Sequence, residues 1–198
     1  MLTKHTYPAP PPNIRHIATL FRVLGWIGFW TQLAMTFISG IALLIVVTGS
    51  IFTPGTYSNN DFGILSAMFG VVVLILGVVS HFRYVRIARA LLHEPGAVLH
   101  PRKLETARML RIGAVVGFCG ILLALVGSAT SVGVLLAKTV SQPPGVAIVD
   151  PTKIVRAIDV FVVLANLTLI AAHLVGTVIA FWLLDRLHIH HHHHQSHP

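Results

Sequence analysis

The chain has 198 residues, is 55% hydrophobic with a mean hydropathy of +0.80, and is only 10% charged. A water-soluble domain carries roughly a quarter charged residues to cover its surface, so the composition excludes a soluble globule. The net charge is +8, from 14 Lys/Arg against 6 Asp/Glu. The basic residues sit at the ends of apolar runs rather than in an aromatic-interleaved patch, which points to membrane topology and away from nucleic acid.

Residues 1–13 are expected to be disordered, because Pro8, Pro10, Pro11 and Pro12 exclude a regular helix; Asn13 is the candidate N-cap of an amphipathic lead-in helix. The segment does not read as a signal peptide, since the apolar run after Arg22 far exceeds a short h-region. It is also too short and Pro-rich for a transit peptide, which favours a protein made in the compartment where it works.

The first span lies within 23–50, and no charge occurs between Arg22 and Asp61. Trp26 and Trp30 stand near its start, as an interfacial aromatic belt would. Pro54, Gly55, Asn59 and Asn60 end the helix. The second span is about 62–81. Its β-branched run could pass for a strand in water, but a lone strand in lipid would leave its backbone groups unpaired. It continues as an amphipathic extension through FRYVRIARALL until Pro95-Gly96.

The third span, 112–137, holds the sole cysteine, Cys119, expected as a small buried hydrophobe. The span is long enough to be tilted or broken, and GSATSVG at 127–133 is the expected site of irregularity. The fourth span is about 160–184, with Trp182 at its far interface. Residues 188–198 form a His-rich tail, expected to be flexible. The fold class is thus an all-α integral membrane protein: a four-transmembrane-helix bundle with amphipathic helical extensions, its membrane domain spanning 14–187.

Charge alternates between the connections. The middle connection carries Arg83, Arg86, Arg89, Arg102, Lys103, Arg108 and Arg111. With four spans, the two termini and that connection share one side, which holds 11 of the 14 basic residues. The positive-inside rule places that side in the cytoplasm. The seven basic residues read as topology anchors touching anionic lipid, or as a docking surface for a partner.

Asp159, Asn166 and His173 recur every seven residues and so share a helix face. In hydrocarbon such groups should point inward and pair. They form either a polar track for an ion or metal, with His173 as nitrogen ligand, or interhelical glue. Gln32, Thr36 and Ser39 make a similar stripe in the first span, and Gln32 is expected to pair with Asn166. In the third span, Ser128, Thr130 and Ser131 either line a narrow path or permit close packing. Gly25, Gly28, Gly70, Gly77, Gly113, Gly117 and Gly120 read mainly as packing positions. The tail histidines His188, His190, His191, His192, His193, His194 and His197 could bind divalent metal weakly, or be an expression tag.

The chain has no G-x-x-x-x-G-K-[ST], H-E-x-x-H or G-x-S-x-G motif and no acidic cluster, so neither enzymatic activity nor a cofactor is expected.

The blocks LFRVLGWIGFWTQL (20–33), FRYVRIARAL (82–91), LALVGSATSVGVLLAKTVSQPPG (123–145) and IDVFVVLANLTLIAAHLVGTVIAFWLLDRL (158–187) resemble the DUF3611 family. That family contains cyanobacterial membrane proteins and a chloroplast inner-envelope protein. The resemblance covers about residues 14–187 and implies four transmembrane helices in a cyanobacterial or plastid membrane. Plant members are described both as iron permeases and as components linked to the protein-import translocon. The family-like positions in the fourth span include Ala165, Asn166, Ala172 and His173. The function expected is a permease or permease subunit for iron or another divalent metal; the alternative is a non-transporting translocon-associated or assembly subunit. Partners are membrane lipids and a homo-oligomer or larger membrane complex, since four helices are few for a monomeric pore.

Overall fold

A computed structural model describes residues 12–52, 61–93, 101–141 and 154–192. The described residues form four helices: α1 (Pro12–Phe52), α2 (Asp61–His93), α3 (Pro101–Val140) and α4 (Ala157–His192). Their apolar stretches run Arg15–Phe52, Asp61–Ala90, Glu105–Val140 and Ala157–Leu187, between 30 and 38 residues each. At about 1.5 Å per residue, each exceeds a hydrocarbon core of about 30 Å. The chain is therefore a multi-pass membrane protein built as an all-α four-helix bundle.

Each helix packs on its neighbours in sequence, α4 closes the ring against α1, and α2 also meets α4 across the diagonal. Large apolar side chains face outward along every helix, among them Phe37, Leu44, Phe69, Val72, Val115, Phe118, Leu136, Leu174 and Val178. Water would reject such a surface, whereas lipid accepts it. Cys119 belongs to this outer surface. The expectation of a buried cysteine is corrected, because the inward face of α3 at that level is taken by Gly117 and Gly120.

Helix ends follow local chemistry. α1 begins at Pro12, where a missing N–H costs nothing in the first turn. At the start of α4, the Asp159 carboxylate reaches back to the Arg156 N–H at 3.1 Å, while the Asp159 N–H donates to the Arg156 carbonyl at 3.1 Å. The first bond is the carboxylate half of a capping box, and the second is a backbone turn that leads into the helix. α3 runs unbroken through 127–133, contrary to the irregularity expected there. Thr130 and Ser131 return their hydroxyls to the Gly127 carbonyl at 2.9 and 2.7 Å. The hydroxyls thus bond within the helix instead of competing with it. Residues 54–60, 95–96 and 143–145, expected as turns, lie outside the described residues.

Two buried clusters form the interior. One comprises Phe21, Tyr84, Ala88, Leu110, Ile179 and Leu183. It lies level with the exposed Arg22, Arg83, Arg86, Arg89, Arg108 and Arg111, at what we call the basic end. The other is rich in small residues: Ala42, Ala67, Ala124, Ala165 and Ala172 around Leu43, Leu74 and Leu169. Near the basic end an aromatic group, Trp26, Phe29, Trp30 and Phe82, packs ring on ring at 5.5–6.2 Å. At the same end Arg186 lies 5.3 Å over Trp182. These rings supply the amphipathic belt that an interface favours.

Candidate functional site

The interior between the helices contains polar side chains at successive levels. At the end opposite the basic one, Asp159 is 1% exposed and paired with Lys138 at 2.6 Å. This ion pair ties the end of α3 to the start of α4. Asp159 thus serves as helix cap and ion-pair partner, which is more than a first rung of a polar track.

One level deeper, Asn166 is fully buried. Its Nδ2 donates to the carbonyls of Gly63 at 3.2 Å and Val162 at 3.0 Å. Ser66 donates to the Leu123 carbonyl at 2.7 Å. A Cβ on Gly127 would collide with both Asn166 and Ser66. On the other side of α4, Ser39 and Thr168 share a hydroxyl–hydroxyl bond at 2.6 Å, and Ser39 lies 3.4 Å from the Ala165 carbonyl. Ser128 is buried here too.

At mid-depth His173 is 2% exposed and bonds the Gly70 carbonyl at 3.3 Å through Nε2. A carbonyl only accepts, so Nε2 carries the proton. The ring lies against Gly120. One turn further on, the Thr177 hydroxyl rests against Gly117 with no hydrogen-bond partner.

Nearer the basic end, Gln32 on α1 donates through Nε2 to the Ala172 carbonyl at 3.3 Å, and Thr36 bonds back to the Gln32 carbonyl at 2.7 Å. His81 on α2 bonds its own Gly77 carbonyl at 2.9 Å through Nδ1. By the same reasoning that proton sits on Nδ1, and the neutral ring leaves Nε2 a bare lone pair. Tyr84, 1% exposed, stacks edge-on with His81 at 5.2 Å and directs its hydroxyl to Gly113.

Two rules emerge from this geometry. First, several interior glycines receive polar side chains, whereas Gly25 and Gly70 receive Val85 and Leu169. Gly28 faces His81, Gly77 and Gly176 face Gln32, Gly113 faces Tyr84, Gly117 faces Thr177, Gly120 faces His173, and Gly127 faces Asn166. Where a Cβ would stand, a polar group from the next helix enters instead. Second, Gln32, His81, Asn166 and His173 each donate an N–H to a backbone carbonyl, while acceptors are left over. Gln32 Oε1, His81 Nε2 and Asn166 Oδ1 are buried without a partner. An unpaired buried acceptor costs about 1–3 kcal/mol, so such a surplus asks for a function.

The expected pairing of Gln32 with Asn166 does not form. Gln32 bonds Ala172, and Asn166 bonds Gly63 on α2. The stripe Asp159–Asn166–His173 faces α2 and α3, and α1 instead meets Ala165, Thr168 and Ala172. The two stripes share one interior but flank α4 on different sides. Thr130 is half-buried, and Ser131 is fully buried. Arg83, Arg86, Arg89, Arg108 and Arg111 are exposed; the side chains of Arg102, Lys103 and the tail histidines lie outside the described residues. Among the described residues no three His, Cys, Asp or Glu side chains gather as a metal-ligand group.

Sequence reasoning missed Ser66, His81, Tyr84, Thr168 and Thr177. Thr177 had a signal, standing one turn from His173. His81 was masked by its position next to the arginine run, where it resembles an interfacial residue.

Comparison with known proteins fits this architecture. No solved structure matches the chain. It is 32% identical over 172 residues to "Protein TIC 21, chloroplastic" of Arabidopsis thaliana. That match covers 83% of this chain and 55% of that protein, so the chain spans little more than half the relative's length. The DUF3611 family, described as "Protein of unknown function", matches residues 11–188. With nearly all four helices inside that match, the chain belongs to the DUF3611 family.

Proposed function

We propose that this chain is a permease, or a permease subunit, for a small cation, with iron or another divalent metal as the substrate class. The observation that carries this reading is the set of partnerless buried acceptors: Gln32 Oε1 and His81 Nε2 at one level of the bundle, and Asn166 Oδ1 at another. An interior that offers such lone pairs favours cations over anions. Imidazole nitrogen and amide oxygen suit first-row divalent ions, and iron permeation is one of the two roles that the family resemblance implies, the other being a translocon-linked component. Polar groups inside a membrane are costly and most often serve a path or a relay.

The basic end faces the cytoplasm in this reading, by the positive-inside rule. The membrane is a cyanobacterial plasma or thylakoid membrane, and the working unit is a homo-oligomer or larger complex. The basic surface of α2 and α3 contacts anionic lipid or a partner.

A second reading has one observation in its favour. Gln32, Ser66, His81, Tyr84, Asn166, His173 and Thr177 nest against glycines of facing helices, which is how a rigid, non-conducting subunit would be locked. The chain would then be a translocon-associated or assembly subunit.

Purified protein in liposomes decides between them. The permease reading expects divalent-metal flux that falls at least tenfold in Asn166→Leu and His173→Leu, measured with and without residues 188–198. Folded protein without flux, or stable co-purification with a translocon complex, overturns it in favour of the assembly subunit.

A further inference from the structure

We propose that Asp159 is a cation-binding site at the end opposite the basic one, and that the Lys138 ammonium is a tethered cation that fills this site and holds it shut. Asp159 is 1% exposed, and it is the one carboxylate that is fully buried among the described residues. A carboxylate withdrawn from water needs a positive charge beside it. Lys138 supplies that charge, with Nζ 2.6 Å from Oδ2 and 11% of its side chain exposed. The Arg156 N–H reaches the same oxygen at 3.1 Å.

The type of cation matters. A guanidinium would grip the carboxylate through two parallel N–H bonds, whereas an ammonium is a compact charge on a flexible four-carbon stem. Lys138 stands in the last turn of α3, which ends at Val140. Its stem can therefore swing towards water without unwinding the helix. The carboxylate stays where it is, because it caps α4 through the Arg156 N–H. One partner is fixed and the other is free to withdraw, which is the arrangement of a site and its plug.

The pair also stands over the partnerless acceptors of the interior. Asp159 and Asn166 share one face of α4, seven residues apart, or about 10 Å along the axis. Asn166 Oδ1, buried without a partner, lies one level further in. A cation leaving water at this end thus meets the Asp159 carboxylate before it meets Asn166, and finds Lys138 already there. A divalent ion attracts the carboxylate with twice the charge of an ammonium, so it competes with Lys138 where sodium does not. Carboxylate oxygen suits ions such as Mn2+. This deepens the permease reading, and rests on it only for the consequence that Lys138 must swing aside before an ion passes.

The test is NMR of the full chain in lipid nanodiscs with 15N-labelled arginine, using Arg156→Lys to assign the Arg156 amide, which bonds the carboxylate. Mn2+ bound at Asp159 broadens that resonance, whereas Mn2+ on the histidines at the other end of α4 does not. Broadening should set in at a roughly tenfold lower Mn2+ concentration in Lys138→Gln than in the unaltered chain, because the substitution leaves a buried charge uncompensated. Sodium at the same concentration should not reverse it, and adding Asp159→Asn should abolish the gain. The same midpoint with and without Lys138, reversal by equimolar sodium, or a gain that survives Asp159→Asn overturns the proposal. Near-ultraviolet circular dichroism reads the fold. A Lys138→Gln chain that folds only when Mn2+ is added supports the site, and one that stays unfolded with Mn2+ overturns it in favour of a simple staple between α3 and α4. Metal flux in liposomes is read separately: tighter binding without flux sinks the permease alone, and flux without tighter binding sinks the plug alone.

Discussion

Towards the basic end, α1 to α4 meet through large side chains: Phe21, Tyr84, Leu110, Ile179 and Leu183. Further along the same helices, the contacts are alanines around Leu74 and Leu169, and polar groups seated on glycines. The difference follows from what surrounds each half. Near the arginines water begins, so burying a large apolar side chain removes it from water and stabilises the bundle. Within lipid that gain vanishes, since a leucine is as comfortable against an acyl chain as against another leucine. Close backbone approach, dispersion and interhelical hydrogen bonds must hold the helices instead.

The largest expected effect tests the water-side core. Phe21→Ala should cost about 3–5 kcal/mol, read by unfolding in mixed detergent micelles. A cost near zero would mean that this half, too, lies in lipid.

Four leucines make a closer comparison, because Leu74, Leu110, Leu169 and Leu183 are all fully buried. Leu110→Ala and Leu183→Ala should cost about 2–5 kcal/mol, with transfer and cavity terms together. Leu74→Ala and Leu169→Ala should cost less, about 1–3 kcal/mol, because mainly the cavity term remains. Equal costs in the two pairs would erase the distinction.

The glycine rule can be broken at a single position. Gly120→Val drives a side chain into the His173 ring and should cost about 1–3 kcal/mol. Gly133, on the same helix, meets nothing within 4 Å, so Gly133→Val should change stability by no more than about 0.5 kcal/mol. Thermal unfolding of the two variants side by side reads the contrast.

The smallest effects come from double-mutant cycles in the membrane half. Ser39→Ala with Thr168→Ala should show a coupling of about 0.6 kcal/mol, since their hydroxyls meet at 2.6 Å. Gln32→Ala with Asn166→Ala should add within about 0.5 kcal/mol, because they serve different helix pairs. Coupling of Gln32 with Asn166 above about 1 kcal/mol would contradict the rotation of α4 between α1 and α2.

Much of the site was legible as polar positions and little of it as pairings. The seven-residue spacing of Asp159, Asn166 and His173 marked a buried face correctly, because helical periodicity is a property of one segment. The partner of that face was assigned to α1, whereas it is α2 and α3. Spacing records the angle between residues on one helix, and says nothing of the rotation of that helix against three others. GSATSVG was read as a weak point from composition alone. In the bundle its hydroxyls close onto Gly127, and Gly127 receives Asn166.

Sequence alone determined that four helices cross a membrane and that one end is basic. Span length and charge at the span ends are sums over neighbouring residues, and lipid reads them without reference to fold. Only the tertiary structure decided which glycine receives which polar side chain, and that Gln32 Oε1, His81 Nε2 and Asn166 Oδ1 are left without donors. Those outcomes depend on the rotation and register of four helices packed together, where a shift of one residue turns an acceptor from the interior into lipid.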